Sequence, residues 1–331
     1  MDQVNVLVTG GAGFIGSHVA QELLKSNYNV VVLDDLSGGF KRNIPNSATF
    51  IQGSILDEDL IDSLFEKHQF KFVFHLAAYA AEGLSHFIRK FNYTNNVIGS
   101  INLINAAIKY NVERFVFTSS IAVYGSGQVP FTEETSPKPE DPYGIAKYAV
   151  ELDLEAAHQQ FGLNYTLFRP HNVYGVGQNL SDPYRNVVGI FMRQILNNDP
   201  LTIYGNGLQT RAFTHIDAIK STIANCIENS TSKNEIYNLG SDVKTSINEL
   251  ANLLLEITNS KNEVLHLESR NEVLEAISSH KKALEHFEDS ASVSLKSGLK
   301  EVWRWANKLE IQPANSFKNI EIRKRLPKNW K

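Results

Sequence analysis

The stretch 9–18, TGGAGFIGSH, sits between an apolar run, Val4-Asn5-Val6-Leu7-Val8, and the segment VAQELLKS at 19–26. Its glycines Gly10, Gly13 and Gly16 recur at three-residue spacing where a strand hands over to a helix. Glycine in a helical first turn is unfavourable unless something must approach the backbone closely. A strand, a tight turn and a helix with unpaired first N–H groups make a seat for a phosphate, because those groups and the helix dipole both favour an anion. A purely structural glycine turn is the competing explanation, and the next strand bears on it. VVVLD at 30–34 ends in Asp34, about 18–20 residues beyond the loop, where a carboxylate accepts bonds from adenosine ribose hydroxyls. Loop and acid together point to a dinucleotide. Asp34 favours NAD over NADP, because a 2′-phosphate beside a carboxylate is repelled.

Further apolar, β-branched runs recur at 72–77 (FVFHLA), 114–119 (RFVFTS) and 165–170 (YTLFRP), with helical spacing at 14–26, 57–68 and 96–110 between them. Strands alternating with helices predict βαβ units and a parallel sheet covered on both faces. The expected fold class is α/β, a Rossmann-type doubly wound parallel sheet with a smaller α/β substrate-binding lobe. Residues 1–170 are expected to form the dinucleotide domain and 171–331 mainly the lobe, a piece near 212–240 being able to return to the main sheet. After Pro170 a loop-rich stretch, HNVYGVGQNLSDPYRN, precedes expected helices near 187–197, 246–258 and 292–307 and a strand-like piece at 235–240.

The 331 residues are 42% hydrophobic and 21% charged with a net charge of -4, which gives no nucleic-acid footprint. No apolar run approaches the ~20 residues of a bilayer span, and no leader pattern is visible, so a cytoplasmic protein without membrane partners is expected. Cys226 is the single cysteine, which rules out intrachain disulfides; no metal site is expected.

Catalytic chemistry is readable further on. Ser120 closes the strand RFVFTSS, and Tyr143 and Lys147 lie in DPYGIAKYAVELDLEAA (141–157), a helix by spacing with Pro142 suited to its first turn. Positions four apart share a helix face, so phenol and ammonium can point into one pocket. A nearby Lys⁺, with the positive ring of a nicotinamide, is expected to pull the tyrosine pKa from about 10 toward working pH. Alone, such a pair is an ordinary packed tyrosine beside a solvated lysine. Joined to the dinucleotide loop and a strand-terminal serine, it reads as a base, its anchor and a hydroxyl partner.

In its ordered motifs VTGGAGFIGSH, VVLDDLSGG, FHLAA, NNVIGSINLINAA, FVFTSSIAVYG, DPYGIAKYAVE, FRPHNVYG and PLTIYGNGLQTRAFTHIDA the chain resembles the extended short-chain dehydrogenase/reductases over nearly its whole length. Within them it is most similar to the nucleotide-sugar epimerase/dehydratase group and its UDP-glucose 4-epimerases. The resemblance implies that Gly10, Gly13, Phe14, Ile15 and Gly16 line a pyrophosphate turn. Asp34 would hold the adenosine ribose with Asp35, Ser37 and Gly38 nearby. Ser54 and Ile55 would sit by adenine, although the group more often has Asp where Ser54 stands. Leu76, Ala77, Ala78, Ser119 and Asn95 or Asn96 would flank the nicotinamide half, which Pro170 approaches through its backbone.

In the same resemblance Tyr143 would be the base, Lys147 the anchor of the cofactor ribose and Ser120 the hydroxyl partner. Asn172, Arg211 and Arg270 would hold the nucleotide diphosphate, arginine being suited to two phosphate oxygens at once. Asn186 and Val187 would neighbour the uridine. Ile277 aligns with a position that gates pocket size, where tyrosine suits non-acetylated sugars and a shorter side chain admits N-acetyl sugars. Glu82, Ser85, His86 and Arg89, in YAAEGLSHFIRKF, stand where the group carries a different substrate-facing segment, and no role is assigned to them. Members usually form homodimers through a four-helix bundle, here from helices 92–110 and 144–160, with Ile101, Ile104, Ile108 and Leu152 as contact candidates.

The group's 4,6-dehydratases place an Asp-Glu pair after the hydroxyl residue, because eliminating water needs an acid and a base. Here stand Ile121 and Ala122, which carry no proton. Decarboxylating members also need an acid where Ala122 stands. The expectation is 4-epimerisation of a UDP-sugar, plain or N-acetylated, with resident NAD and a transient 4-keto intermediate. A dehydratase or reductase of the same group is the alternative within the class. A non-catalytic NAD- or nucleotide-sugar-sensing protein is the alternative outside it.

Overall fold

Along β1 (Asn5–Thr9) the side chains divide between two cores, Val6 and Val8 entering one and Leu7 the other. This alternation, repeated in each inner strand, makes a sheet covered on both faces. The computed structural model describes residues 3–270, 273–287, 292–310 and 317–330. After β1 come α1 (Phe14–Lys25), β2 (Asn29–Asp34), β3 (Thr49–Gln52), α2 (Glu58–His68), β4 (Phe72–His75), α3 (Glu82–Ser85), α4 (Arg89–Tyr93), α5 (Gly99–Lys109), β5 (Arg114–Thr118), α6 (Pro142–Phe161) and β6 (Tyr165–Pro170). The rest runs β7 (Val173–Tyr174), α7 (Val187–Leu196), β8 (Leu201–Tyr204), β9 (Thr210–Ala212), β10 (Thr214–His215), α8 (Lys220–Asn225), β11 (Glu235–Leu239), β12 (Lys244–Ser246), α9 (Ile247–Thr258), β13 (Val264–Leu267), β14 (Glu275–Ala276), α10 (Lys281–His286) and α11 (Leu295–Ala306). No helix among the described residues is long and apolar enough to cross a membrane.

The main sheet has seven strands in the order β11-β6-β5-β4-β1-β2-β3, all parallel. This is the Rossmann-type α/β arrangement. Its order reverses between β1 and β4, where an open parallel sheet leaves a crevice beyond the strands' carboxyl ends. On one face Leu7, Val31, Val73, Phe115 and Leu167 pack with Leu64 and Phe65 of α2, Leu103 of α5 and Val150 of α6. On the other, Val8, Val32, Phe74 and Phe168 meet Val19 and Leu23 of α1 and Ile223 of α8. A third core joins Phe191 of α7, Leu254 of α9, Val302 of α11 and Ile203 of β8. The minor sheets flank it: β12-β9-β14, β13-β8 and β10-β7.

Several elements differ from the sequence reading. β3 has no apolar run to announce it, because an edge strand needs only one covered face and TFIQ is partly exposed. The run expected at 72–77 leaves the sheet after His75. The helix expected over 96–110 begins as a wider π-type turn, Thr94–Ile98, before α5. Ile104, expected on a contact surface, is 1% exposed and belongs to the sheet core, with Ile101 and Ile108 packed against it; Leu152 is 49% exposed.

α6, which carries Tyr143 and Lys147, is fixed at both ends. The Asp141 carboxylate accepts from the N–H groups of Tyr143 (2.9 Å) and Gly144 (3.0 Å), Pro142 occupies the first turn, and Gly162 ends the helix at φ +74°. In between, Arg169 of β6 donates to Glu151 of α6 through Nε (3.0 Å) and Nη2 (2.5 Å), and through Nη1 to the Tyr124 hydroxyl (2.8 Å). Both partners of that ion pair are buried, at 2% and 3% exposure. Removing one leaves the other charge uncompensated, so Glu151→Ala is expected to lower stability in urea unfolding by about 3–5 kcal/mol. Apolar replacement of both partners is expected to cost much less.

Candidate active site

The glycine turn is shaped first by its own packing. Gly10 has φ +70°, and a Cβ there would stand 2.7 Å from the backbone of Ala77; a Cβ on Gly16 would stand 2.2 Å from the Gly10 carbonyl oxygen, and one on Gly13 2.9 Å from it. The spacing therefore answers to backbone contacts within the protein as well as to room for a ligand. Its outcome is a bare helix end: Gly13 is the N-cap of α1, no side chain caps it, and no acidic residue stands in the first turn. Such an end favours a pyrophosphate. At the tip of β2, buried Asp34 accepts from the N–H groups of Ala12 (3.0 Å) and Leu36 (2.8 Å), so it also holds the loop. Burial pushes its carboxyl above the usual range.

A cavity of about 340 Å³ opens at the switch point. Gly10, Gly13, Phe14, Ile15, Gly16, Asp34, Asp35, Ser37, Gly38, Ile55, Leu76, Ala77, Ala78, Asn95, Ser119, Ser120, Tyr143, Lys147 and Pro170 all line it. A second cavity, about 410 Å³, is lined among others by Val187, Arg211 and Arg270. Asn172 and Asn186 line both, with Ala80, Glu82 and Arg185. His86 borders the second cavity, while Ser85 lines neither, its hydroxyl donating to the Glu82 carbonyl at 2.6 Å.

Two candidates fall elsewhere. Ser54 lines neither cavity; its hydroxyl accepts from the Leu56 N–H (3.1 Å) in the turn leading to α2. Ile277 is 4% exposed and lines neither cavity, its carbonyl accepting from the Phe131 N–H at 2.9 Å. Asn96, the alternative to Asn95, clamps the loop after β4 by accepting from the Tyr79 N–H (2.9 Å) and donating to the Tyr79 carbonyl (3.2 Å). Sequence reasoning missed Arg185, one residue before Asn186, whose guanidinium lies 4.2 Å from the Tyr79 ring centre and pairs with Asp182 at 2.8 Å. It also missed buried Arg193 and Trp330 of the second cavity. Arg185 and Arg193 were findable as cations flanking Asn186 and Val187; Trp330 had no local signal.

The electrostatics of the chain alone work against charge at this site. Lys147 Nζ donates to the Thr118 carbonyl (2.7 Å) and lies 4.5 Å from the Phe117 ring centre. Burial pushes its ammonium down to about 7, opposed by Glu151. The Tyr143 phenol is pushed up, not down, by burial and then by the charge of Glu82; a hydrogen bond with Ser120 works the other way. In the chain alone, burial is the largest influence on both groups, and it disfavours the charged form of each.

A dry phenol, amine and alcohol at the switch point of such a sheet mark enzymes that oxidise and reduce a carbinol with a nicotinamide cofactor. Residues 6–240 match the model of the NAD dependent epimerase/dehydratase family, and the chain belongs to that family. A putative UDP-glucose 4-epimerase of Methanocaldococcus jannaschii is 34% identical over 303 residues, 91% of this chain and 97% of that protein. The dTDP-D-glucose 4,6-dehydratase of Homo sapiens is 34% identical over 254 residues, 73% of this chain and 70% of that protein. The structure of a Thermotoga maritima UDP-glucose 4-epimerase with UDP-glucose superposes with a TM-score of 0.85 at 38% identity, covering 91% of this chain and 98% of that one. Membership sets NAD as the cofactor.

Lys147 supplies a pH test. Its folded pKa lies below its ordinary 10.5, so between about pH 7 and that value the unfolded chain binds a proton that the folded chain lacks. Stability of the NAD-stripped protein should therefore rise with pH across this window from this residue. Lys147→Met is expected to flatten that slope in denaturant unfolding series; identical slopes for the two proteins would contradict it.

Proposed function

We propose that the protein is a UDP-sugar 4-epimerase that retains its NAD through the cycle. One juxtaposition carries this reading. Ser120, Tyr143 and Lys147 border a cavity that shares a wall with the one bearing Arg211 and Arg270, while Ile121 and Ala122 after Ser120 offer no group for elimination. Bound NAD supplies a hydride acceptor and donor at its nicotinamide ring.

Tyr143, as phenolate, removes the proton of the sugar's 4-hydroxyl, and Ser120 hydrogen-bonds the same oxygen. Because burial keeps the phenol protonated, the phenolate depends on positive charge gathered beside it, from Lys147 and the oxidised nicotinamide. Lys147 also holds the cofactor ribose. The 4-keto sugar turns about its phosphate linkage while Asn172, Arg211 and Arg270 keep the diphosphate in place. Tyr143 then returns the proton to the other epimer. The neighbour solved with UDP-glucose supports a UDP-sugar. With Ile277 outside the cavities, choice between plain and N-acetyl sugars falls to the lining residues.

Elimination has one observation in its favour: Glu82 lines both cavities and its charge acts on Tyr143. Incubation with UDP-glucose, UDP-N-acetylglucosamine and dTDP-glucose, with products resolved by NMR, separates the readings. A 4-epimer supports the proposal, and a 4-keto-6-deoxy sugar or steady NADH accumulation overturns it. Tyr143→Phe is expected to cut turnover by roughly 10²–10⁴-fold with NAD still released on denaturation. Two copies are proposed to meet through helices 92–110 and 144–160, where Ile98, Ile145 and Leu152 are exposed. Leu152→Glu should then shift sedimentation toward the monomer.

A further inference from the structure

Residues 317–330 run as a strap across α3 and α4 and end in a single 3-10 turn, Lys328–Trp330. The strap is fastened by backbone and by charge. The N–H groups of Glu321 and Ile322 donate to the Phe87 carbonyl (2.9 and 3.1 Å), and the Glu321 carboxylate accepts from the N–H groups of Lys90 and Phe91, both at 2.8 Å. Phe317 donates its N–H to the Tyr184 hydroxyl (3.3 Å), and its ring meets Phe91 at 4.9 Å. Buried Ala81, Leu84, Ile88 and Tyr184 form with Phe317 and Trp330 an apolar cluster distinct from the three cores of the sheet and lobe. Ordering an irregular terminal segment is entropically costly, and these bonds offset that cost.

The strap ends in the second cavity. Trp330 lines it, edge-on to Tyr184 at 5.1 Å, with its ring 3.2 Å from where a Cβ on Gly83 would lie. The Arg270 guanidinium sits 4.4 Å from the Tyr204 ring centre and 5.9 Å from that of Trp330. A guanidinium lying against aromatic rings is restrained in position and loses less freedom on binding an oxyanion.

We propose that the strap is a wall of the nucleotide cavity and that Trp330 is a positioning residue, holding Arg270 for the diphosphate of a nucleotide sugar. This rests on the nucleotide-sugar reading above. The ligand class is a nucleoside diphosphate, and the probe is UDP, titrated by calorimetry into the NAD-containing enzyme. Trp330→Ala, and a chain stopped after residue 316, are expected to raise the Kd for UDP by roughly tenfold or more, and Trp330→Phe to restore most of the affinity. On the epimerised sugar, Trp330→Ala should raise KM with kcat held within about threefold, the pattern of lost binding rather than lost chemistry. Bound NAD in Trp330→Ala should match the wild type and its thermal unfolding should stay cooperative, with a melting temperature lowered by the lost packing but well above the assay temperature, which separates positioning from unfolding should the shortened chain not fold. UDP quenching of tryptophan emission should disappear in Trp330→Phe. Wild-type affinity in Trp330→Ala overturns the inference while leaving the epimerase reading intact. An intact chain that does not bind UDP overturns the nucleotide-sugar reading and this inference with it.

Discussion

The whole site hangs from the approach of α1 to the carbonyl of Gly10. Only a hydrogen fits at residue 16 against that oxygen and at residue 10 against the backbone of Ala77. The first helix, the end of β1 and the chain leaving β4 are therefore drawn together at one point. Because glycine also occupies the N-cap, the helix end has no side chain to satisfy it. Tight packing and an anion seat are thus not rival explanations of the glycines; the first produces the second.

Around that point, burial opposes the charges of the base and its anchor. The ammonium of Lys147 is pushed down and the phenol of Tyr143 up, so a charged pair forms only when each stabilises the other in a dry setting. The scaffold has to hold both groups within reach of one another. The Asp141 cap and the Arg169–Glu151 pair do this by fixing one helix to β6, whose last residue is Pro170.

Much of this was legible in the sequence. Inner strands such as VVVLD and RFVFT are continuous apolar runs because both faces are covered, and they announce a parallel sheet directly. β3 is silent because an edge strand needs no such run, and the parallel pair of β8 and β13 is silent because the paired residues of LTIY and VLHL, such as Leu201 and Val264, stand 63 positions apart with nothing local to join them. The residues lining the cofactor cavity sit at strand ends and helix starts, where motif and geometry coincide. Ser54 and Ile277 were placed by resemblance alone, Ser54 where the group more often has Asp, and lie outside both cavities. Trp330 was invisible for the opposite reason, since its place depends on a long-range return of the chain to α3 and α4. Ile104 shows the limit of spacing: an apolar stripe does not say whether it faces a core or a partner.

Arg185 borders both cavities while resting on Tyr79. Under the proposed function, a cation in such a party wall would face an anionic occupant on either side, the pyrophosphate of one and the diphosphate of the other. The first occupant would then order the side chain, already paired with Asp182, and the second to arrive would find it oriented. By thermodynamic reciprocity, whatever the sugar nucleotide gains from the dinucleotide, the dinucleotide gains equally from the sugar nucleotide. Tenacious cofactor retention would then be partly a property of the loaded complex, not of the dinucleotide seat alone.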